Sequence, residues 1–316
     1  MVKRNKPAVP NTVPEPATEL DLVDRISRLA AVPRDSRLLL GIGDDCAIYR
    51  QRGSAEDLLF TTDMLLEGVH FLASTHRPED IGWKALARGL SDIAAMGGEP
   101  RFCLVSLALG SGAASAWVDG FYRGLLRLAR REKVALMGGD LARGPQVMCD
   151  IVVCGAVPRG RGLLRSGARP GDAIYVSGKL GGSASGLERG TGQAFRRHLR
   201  PEPRLALGRF LRRLGATAAM DLSDGLSLDL HRLCRCSRVK AEITAPPIYP
   251  GATLQQALDG GEDYELLFTV PSRVRVPSAL EGLPLTRIGT IRRGTPSVAF
   301  EGAPLPARGW DHFRKP

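Results

Sequence analysis

Two neighbouring carboxylates, Asp44 and Asp45, sit in the glycine turn Gly41-Ile42-Gly43-Asp44-Asp45-Cys46-Ala47, directly after the apolar run Leu38-Leu39-Leu40. Adjacent acids repel one another, and the pair is tolerable either in solvent or beside a divalent cation that neutralises it. The same local design, a short apolar run followed by a small or polar residue and an aspartate, recurs along the chain. It appears at Leu59-Phe60-Thr61-Thr62-Asp63, Gly89-Leu90-Ser91-Asp92, Leu136-Met137-Gly138-Gly139-Asp140 and Met220-Asp221-Leu222-Ser223-Asp224-Gly225. One aspartate in a turn needs no cause beyond its bonds to nearby backbone N–H groups. Recurrence points further. Mg²⁺ takes one or two carboxylates per ion and completes its octahedron with water and substrate phosphate, so acids converging on one pocket imply several ions and a polyphosphate.

The usual phosphate-binding devices are missing. The pattern G-x-x-x-x-G-K-[ST] does not occur, and Gly178-Lys179-Leu180 lacks the hydroxyl that would follow the lysine. There is no protein-kinase set of glycine loop, H-R-D and D-F-G, so an ATP site must be built differently. Nucleophilic catalysis has no support either: no G-x-S-x-G elbow is present, and the histidines at 70, 76, 198, 231 and 312 follow no triad or H-E-x-x-H arrangement.

The elements that must position these acids alternate between helix and strand, which predicts a mixed α/β fold. Leu22, Val23, Ile26 and Leu29 recur at helical spacing, and Pro33 closes that segment. Strands are expected over 38–42 and 57–62. A helix is expected over 81–96, with Trp83, Leu86, Ala87, Leu90, Ile93 and Ala94 on one face and Gly97-Gly98 as its stop. Asp92 lies towards the C-terminal end of that helix, the unfavourable end of the macrodipole for an acid, which favours a ligand role. Further strands are expected over 102–109, 134–137, 146–157, 173–177, 218–221, 240–243, 264–270 and 286–291, and helices over 117–131, 203–214, 226–236 and 253–258. Glycine and arginine interrupt the pattern at Pro158-Arg159-Gly160-Arg161-Gly162. The expected division is therefore a disordered arm over 1–18, a first domain over 19–157 and a second over 163–316.

A chain of 316 residues that is 43% hydrophobic can form two domains with proper cores. The net charge of +11 permits anionic partners. The arginines are scattered, however, and five Tyr and three Trp offer no aromatic-interleaved basic stripe, so no nucleic-acid partner is expected. The six cysteines form no C-x-x-C pair, and Cys149 and Cys154 lie in an apolar run; buried, reduced thiols of a cytoplasmic protein are expected. No apolar run reaches 18 residues and the start of the chain lacks a secretory core, so no membrane partner is expected.

Taken together, Gly41 to Ala47, Thr61 to Phe71, Leu90 to Gly98, Gly138 to Asp140, Met220 to Leu226 and Gly260-Gly261-Glu262-Asp263-Tyr264-Glu265-Leu266-Leu267-Phe268 resemble the thiamine-monophosphate kinase family, in order from about residue 19 to 313. The resemblance implies a two-domain fold like that of aminoimidazole ribonucleotide synthetase and selenophosphate synthetase, with an N-terminal sheet domain that forms a homodimer and a C-terminal α/β domain that covers the site. It implies transfer of the ATP γ-phosphoryl group to thiamine monophosphate, with several Mg²⁺ ions. Carried over by position, it implies Mg²⁺ ligands at Asp44, Thr61, Thr62, Asp63, Asp92, Asp140, Asp221 and Asp224. It likewise implies ATP contacts at Tyr122, Gly139, Arg165 and Ser223, and thiamine contacts at His70, Glu262 and Trp310. Two alternatives stay open at this stage. One is another ATP-using member of the superfamily of the selenophosphate synthetase kind, although no cysteine stands in the N-terminal arm. The other is a non-catalytic nucleotide-binding protein.

Overall fold

A computed structural model describes residues 18–30, 37–110 and 115–313. The arm expected over residues 1–18 therefore lies, except for Thr18, outside the described residues. The chain separates into two compact units, one made of Met1–Pro33 with Asp311–Pro316 and one spanning Arg34–Trp310. Helix α1 (Glu19–Leu29) belongs to the first. Thr18 caps it by accepting the Asp21 N–H at 3.2 Å, and its Glu19 N–H donates to Asp311 at 3.2 Å.

The second unit carries two sheets. The first is built from β1 (Leu38–Leu40), β2 (Ala47–Tyr49) and β3 (Glu56–Leu66), followed by helix α2 (Pro78–Ala95), β4 (Glu99–Leu109), helix α3 (Ser115–Glu132), β5 (Ala135–Arg143) and β6 (Met148–Pro158). Its strand order is β1-β2-β3-β6-β4-β5, and only β4 and β5, joined through α3, run parallel. Along β3 the residues alternate between faces, so Asp57, Leu59 and Thr61 are buried while Thr62 is exposed. Helices α2 and α3 touch through glycine. A Cβ at Gly82 would lie 1.9 Å from the Phe121 carbonyl oxygen, and one at Gly124 would lie 1.8 Å from that of Glu79.

The second sheet follows from β7 (Ala173–Ser177), helices α4 (Gly182–Arg189), α5 (Gly192–Leu199) and α6 (Leu205–Leu214), β8 (Ala218–Asp221), α7 (Leu226–Ser237), β9 (Lys240–Ile243), α8 (Leu254–Asp259), β10 (Leu266–Val270), β11 (Ala279–Leu280), β12 (Leu283–Arg292), β13 (Ser297–Phe300) and β14 (Ala303–Pro304). Its order is β14-β13-β9-β12-β7-β10-β8, with β11 against β12. The larger apolar core takes Leu59 and Val153 from the first sheet, Leu86 and Leu90 from α2, Leu211 from α6 and Phe268 from β10. Helix α2 is thus packed on both sides, which makes it a rigid ruler for any group on its flanks.

Two of the expected acidic turns prove to be strand. Asp63 lies inside β3, whereas Asp92 lies inside α2, on the helix expected for it. Asp140 lies inside β5, which runs on through Gly138 and Gly139. A Cβ at Gly139 would sit 1.8 Å from the Val105 carbonyl oxygen, so the glycine serves strand contact where the sequence pattern suggested a turn. Helices α4 and α5 were not expected, because a run of glycines from 178 to 192 hides their short apolar faces. No described helix is long and apolar enough to cross a membrane. Five of the six cysteines are buried; Cys236 is exposed.

Candidate active site

The Gly43 turn, α2 and β8 bring three carboxylates together: Asp45, Asp92 and Asp221 each place an oxygen within 4.8 Å of the other two. Each is anchored by chemistry visible in its neighbours. Thr61 Oγ1 donates to Asp92, and Ser91 Oγ donates to Asp221 at 2.6 Å. Arg165 Nε donates to Asp45 at 2.9 Å, while the Arg165 backbone N–H donates to Asp44 at 3.1 Å. Burial, together with the neighbouring acids, pushes the carboxyl groups of Asp92 and Asp221 well above the ordinary aspartate range. Asp44 is raised to about 7 by burial and by Asp45. The Asp45 Oδ2 atom is buried and has no hydrogen-bond partner. Clustered buried acids with an orphaned oxygen are a costly arrangement that a divalent cation neutralises, and an all-oxygen donor set suits Mg²⁺.

Around this centre stand further expected residues. Asp63 accepts from Arg88 Nη2 at 3.1 Å. Asp224 pairs with Arg232, which also donates to the buried Asp229 at 3.0 Å. Burial, followed by the charge of Asp224, raises the Asp229 carboxyl to about 7. The loop that carries Ser223 is stitched to the Gly260 loop, since the Glu262 N–H donates to the Ser223 carbonyl at 2.6 Å and the Tyr264 N–H donates to that of Leu222 at 2.9 Å. The Trp310 N–H donates to the Asp224 carbonyl at 2.8 Å, and the residue is 54% exposed beside that loop. His70 accepts the Leu66 N–H through Nδ1 at 3.0 Å, and its carbonyl accepts from Lys84 Nζ at 3.3 Å. Lys84 also donates to Glu262 at 2.9 Å.

Helix α2 therefore carries Lys84, Arg88 and Asp92 at intervals of four residues. That spacing sets them on one stripe spanning about 12 Å, from the Glu262 end to the acidic cluster.

Not every expected ligand joins the cluster. Strand alternation turns Thr62 to the face of β3 opposite Thr61, where its hydroxyl donates to Asp150 at 2.7 Å. Asp140 pairs in register with Ser106, which in turn faces Asp150 across β6, so Asp140 shares that exposed face. Tyr122 lies half-buried on α3, edge-on to Phe121 at 5.3 Å, and packs against the larger core.

Asp45 was not among the expected ligands. The adjacent acids were visible in the sequence, but nothing in it tells which of the two turns inward. Lys84, Arg88 and Arg232 were missed as well. Their only signal is a basic residue on the buried stripe of a helix: Lys84 is 1% exposed.

Comparison with known proteins now bears on this geometry. Residues 43–158 match the family model of the AIR synthase related protein, N-terminal domain. The chain is similar to the thiamine-monophosphate kinase of Escherichia coli (strain K12), at 40% identity over 90% of this chain and 95% of that protein. It is similar to the thiamine-monophosphate kinase of Bacillus subtilis (strain 168) at 34% identity over 94% and 99%. The chain belongs to the thiamine-monophosphate kinase family. A solved structure described as AaThiL complexed with AMPPCP and TMP superposes with a TM-score of 0.84 and 34% identity, covering 93% of this chain and 97% of that one. The family resemblance read from the motifs and its α/β fold are thereby shown.

Proposed function

We propose that this chain transfers the γ-phosphoryl group of ATP to the phosphate of thiamine monophosphate, giving thiamine diphosphate and ADP. The observation that carries the reading is the meeting of Asp45, Asp92 and Asp221 in a protein of this family. The complex of AaThiL with AMPPCP and TMP supports the same pair of substrates. Asp45, Asp92 and Asp221 would hold Mg²⁺, with Asp44, Asp63 and Asp224 beside them. Mg²⁺ held by these carboxylates would supply neutralisation of the phosphate charge.

The chain's own residues supply position and charge. Arg165, now paired with Asp45, has a planar fork that fits phosphate oxygens bidentately and is the candidate for the ATP side, with Ser223, Gly139 and Tyr122. Arg88 lies between the acidic cluster and Lys84, where the acceptor phosphate would lie. That phosphate has a second pKa of about 6 by analogy with phosphorylated side chains, so it arrives ionised and no strong general base is required. His70, Glu262 and Trp310 are the thiamine-side candidates. A carboxylate suits a cationic thiazolium or the amine of the pyrimidine, and an indole face attracts the cation.

We further propose that two copies associate through the first sheet. Strand β5 is exposed over most of its length, and Met137, Leu141, Met64 and Leu104 are large apolar side chains left in solvent on this sheet. A monomeric elution in gel filtration at micromolar concentration would rule that out. Coupled ADP-release assays with MgCl₂ and ATP, with and without thiamine monophosphate, test the reaction. Turnover that depends on thiamine monophosphate is expected; ADP release indifferent to it overturns the reading.

A further inference from the structure

Lys84 stands apart from every residue already given a role. It is a lysine with 1% exposure, fixed mid-helix on α2, and no apolar explanation accounts for an ammonium there. Its three donor directions are all used by groups from different segments. Nζ donates to Glu262 at 2.9 Å and to the His70 carbonyl at 3.3 Å, and lies 3.4 Å from His198 Nε2 on α5. Two of these three partners are the thiamine-side candidates. We infer that Lys84 is a positioning residue whose ammonium holds Glu262 and the His70 turn in the geometry that receives the thiamine rings. This rests on the thiamine-side reading above.

The backbone supports a constrained Glu262. It has φ +63° and Tyr264 has φ +49°, left-handed conformations that cost a side-chain-bearing residue of order 1–3 kcal/mol each and persist where the surroundings enforce them. The Lys84 pair and the Glu262 N–H bond to Ser223 are the enforcing contacts. The groups facing the pair are His198, whose ring Nδ1 lies 3.3 Å from Glu262 and 2.9 Å from the Ser183 hydroxyl, and His76, 3.4 Å from His198. Burial drives His198 down to about 4, and burial with Lys84 lowers His76, so both rings are neutral near pH 7 and the cations acting on Glu262 there are Lys84 and Arg88. Burial alone would raise Glu262, yet Lys84 first, then the His198 ring where acid has protonated it, and Arg88 hold it at about 2, ready as a carboxylate. Lys84 thus acts through Glu262 and His70.

The test compares wild type, Lys84→Met, Glu262→Gln and the double variant in the full chain, measuring kcat and both KM values. Lys84→Met should raise KM for thiamine monophosphate about tenfold or more, because a charge-assisted anchor is lost, and leave KM for ATP within twofold. In the Glu262→Gln background the same substitution should have little further effect on KM for thiamine monophosphate. If the single Lys84→Met variant fails to fold because the carboxylate is stranded, the double variant removes that charge, and its comparison with Glu262→Gln carries the test. An unchanged KM for thiamine monophosphate, a parallel rise in both KM values, or additive effects in the cycle would overturn the inference. A wild type without turnover on thiamine monophosphate would instead overturn the functional reading beneath it.

Discussion

Asp92→Asn should make the metal-free protein more stable and the magnesium-loaded protein less responsive. Two unit charges 4.8 Å apart, the outer separation in the cluster, repel by about 3.5 kcal/mol at an effective dielectric near 20. Asp92 has two such neighbours, Asp45 and Asp221. Part of that repulsion is already relieved, because burial and the neighbouring acids favour the protonated carboxyl at Asp92. The net relief from an isosteric amide is then roughly 1–3 kcal/mol. The amide oxygen can still accept from Thr61, so that contact survives. At roughly 2 °C per kcal/mol the melting temperature in EDTA should rise by about 2–6 °C. Wild-type protein should gain about 2.7 kcal/mol when Mg²⁺ reaches a hundredfold excess over its dissociation constant, and the variant should gain far less. Thermal melts in EDTA and in a MgCl₂ series, with the ADP-release assay alongside, read all three quantities. A variant that melts below wild type in EDTA and keeps the full response to MgCl₂ would refute the reasoning.

The pH dependence follows from the same acids. Asp44 and Asp229 are raised to about 7 in the folded protein, from an ordinary value near 3.8. The folded state therefore holds more protons than the unfolded state between those values, and their stabilisation, complete below pH 3.8, is lost as pH rises through about 7. Melting temperatures in EDTA should fall from pH 5 to pH 8, and MgCl₂ should flatten the trend; a rise in EDTA would contradict it. Gly139→Ala must push β5 off β4, since its Cβ would meet the Val105 carbonyl oxygen at 1.8 Å, and a loss of roughly 2–4 kcal/mol or insoluble protein is expected. Wild-type melting would disprove so close an approach. Trp310→Ala should raise KM for thiamine monophosphate about 2- to 30-fold, the equivalent of a cation–π contact, with melting unchanged because the side chain is 54% exposed. An unchanged KM would remove Trp310 from the thiamine side.

Much of the fold was legible because its signals are local. The periodic run from Trp83 to Ala94 marks α2, with Pro78 at its start and Gly97-Gly98 behind it, and β7, β8 and β9 fall on the expected residues. Helices α4 and α5 escaped because eight-residue helices among glycines have too few turns to show a period. The acids themselves were conspicuous as a recurring pattern, and with the accompanying motifs they marked the family. Their orientation was not readable. The chain order of Asp44 and Asp45 is silent about which side chain faces Asp92, and Thr61-Thr62-Asp63 reads as one oxygen-rich run until strand pairing sends alternate residues to opposite faces.

Sequence alone therefore determined the longer, strongly periodic elements such as α2, that hard oxygen donors recur after apolar runs, and which family the chain resembles. The tertiary structure decided the meeting of Asp45 with Asp221, 176 positions apart, and of Lys84 with Glu262 across 178 positions. The reason is physical. Helical and strand periods are set by a few neighbouring residues, whereas a buried charge is stable only where distant segments supply its partner, and that pairing exists only once the core has closed.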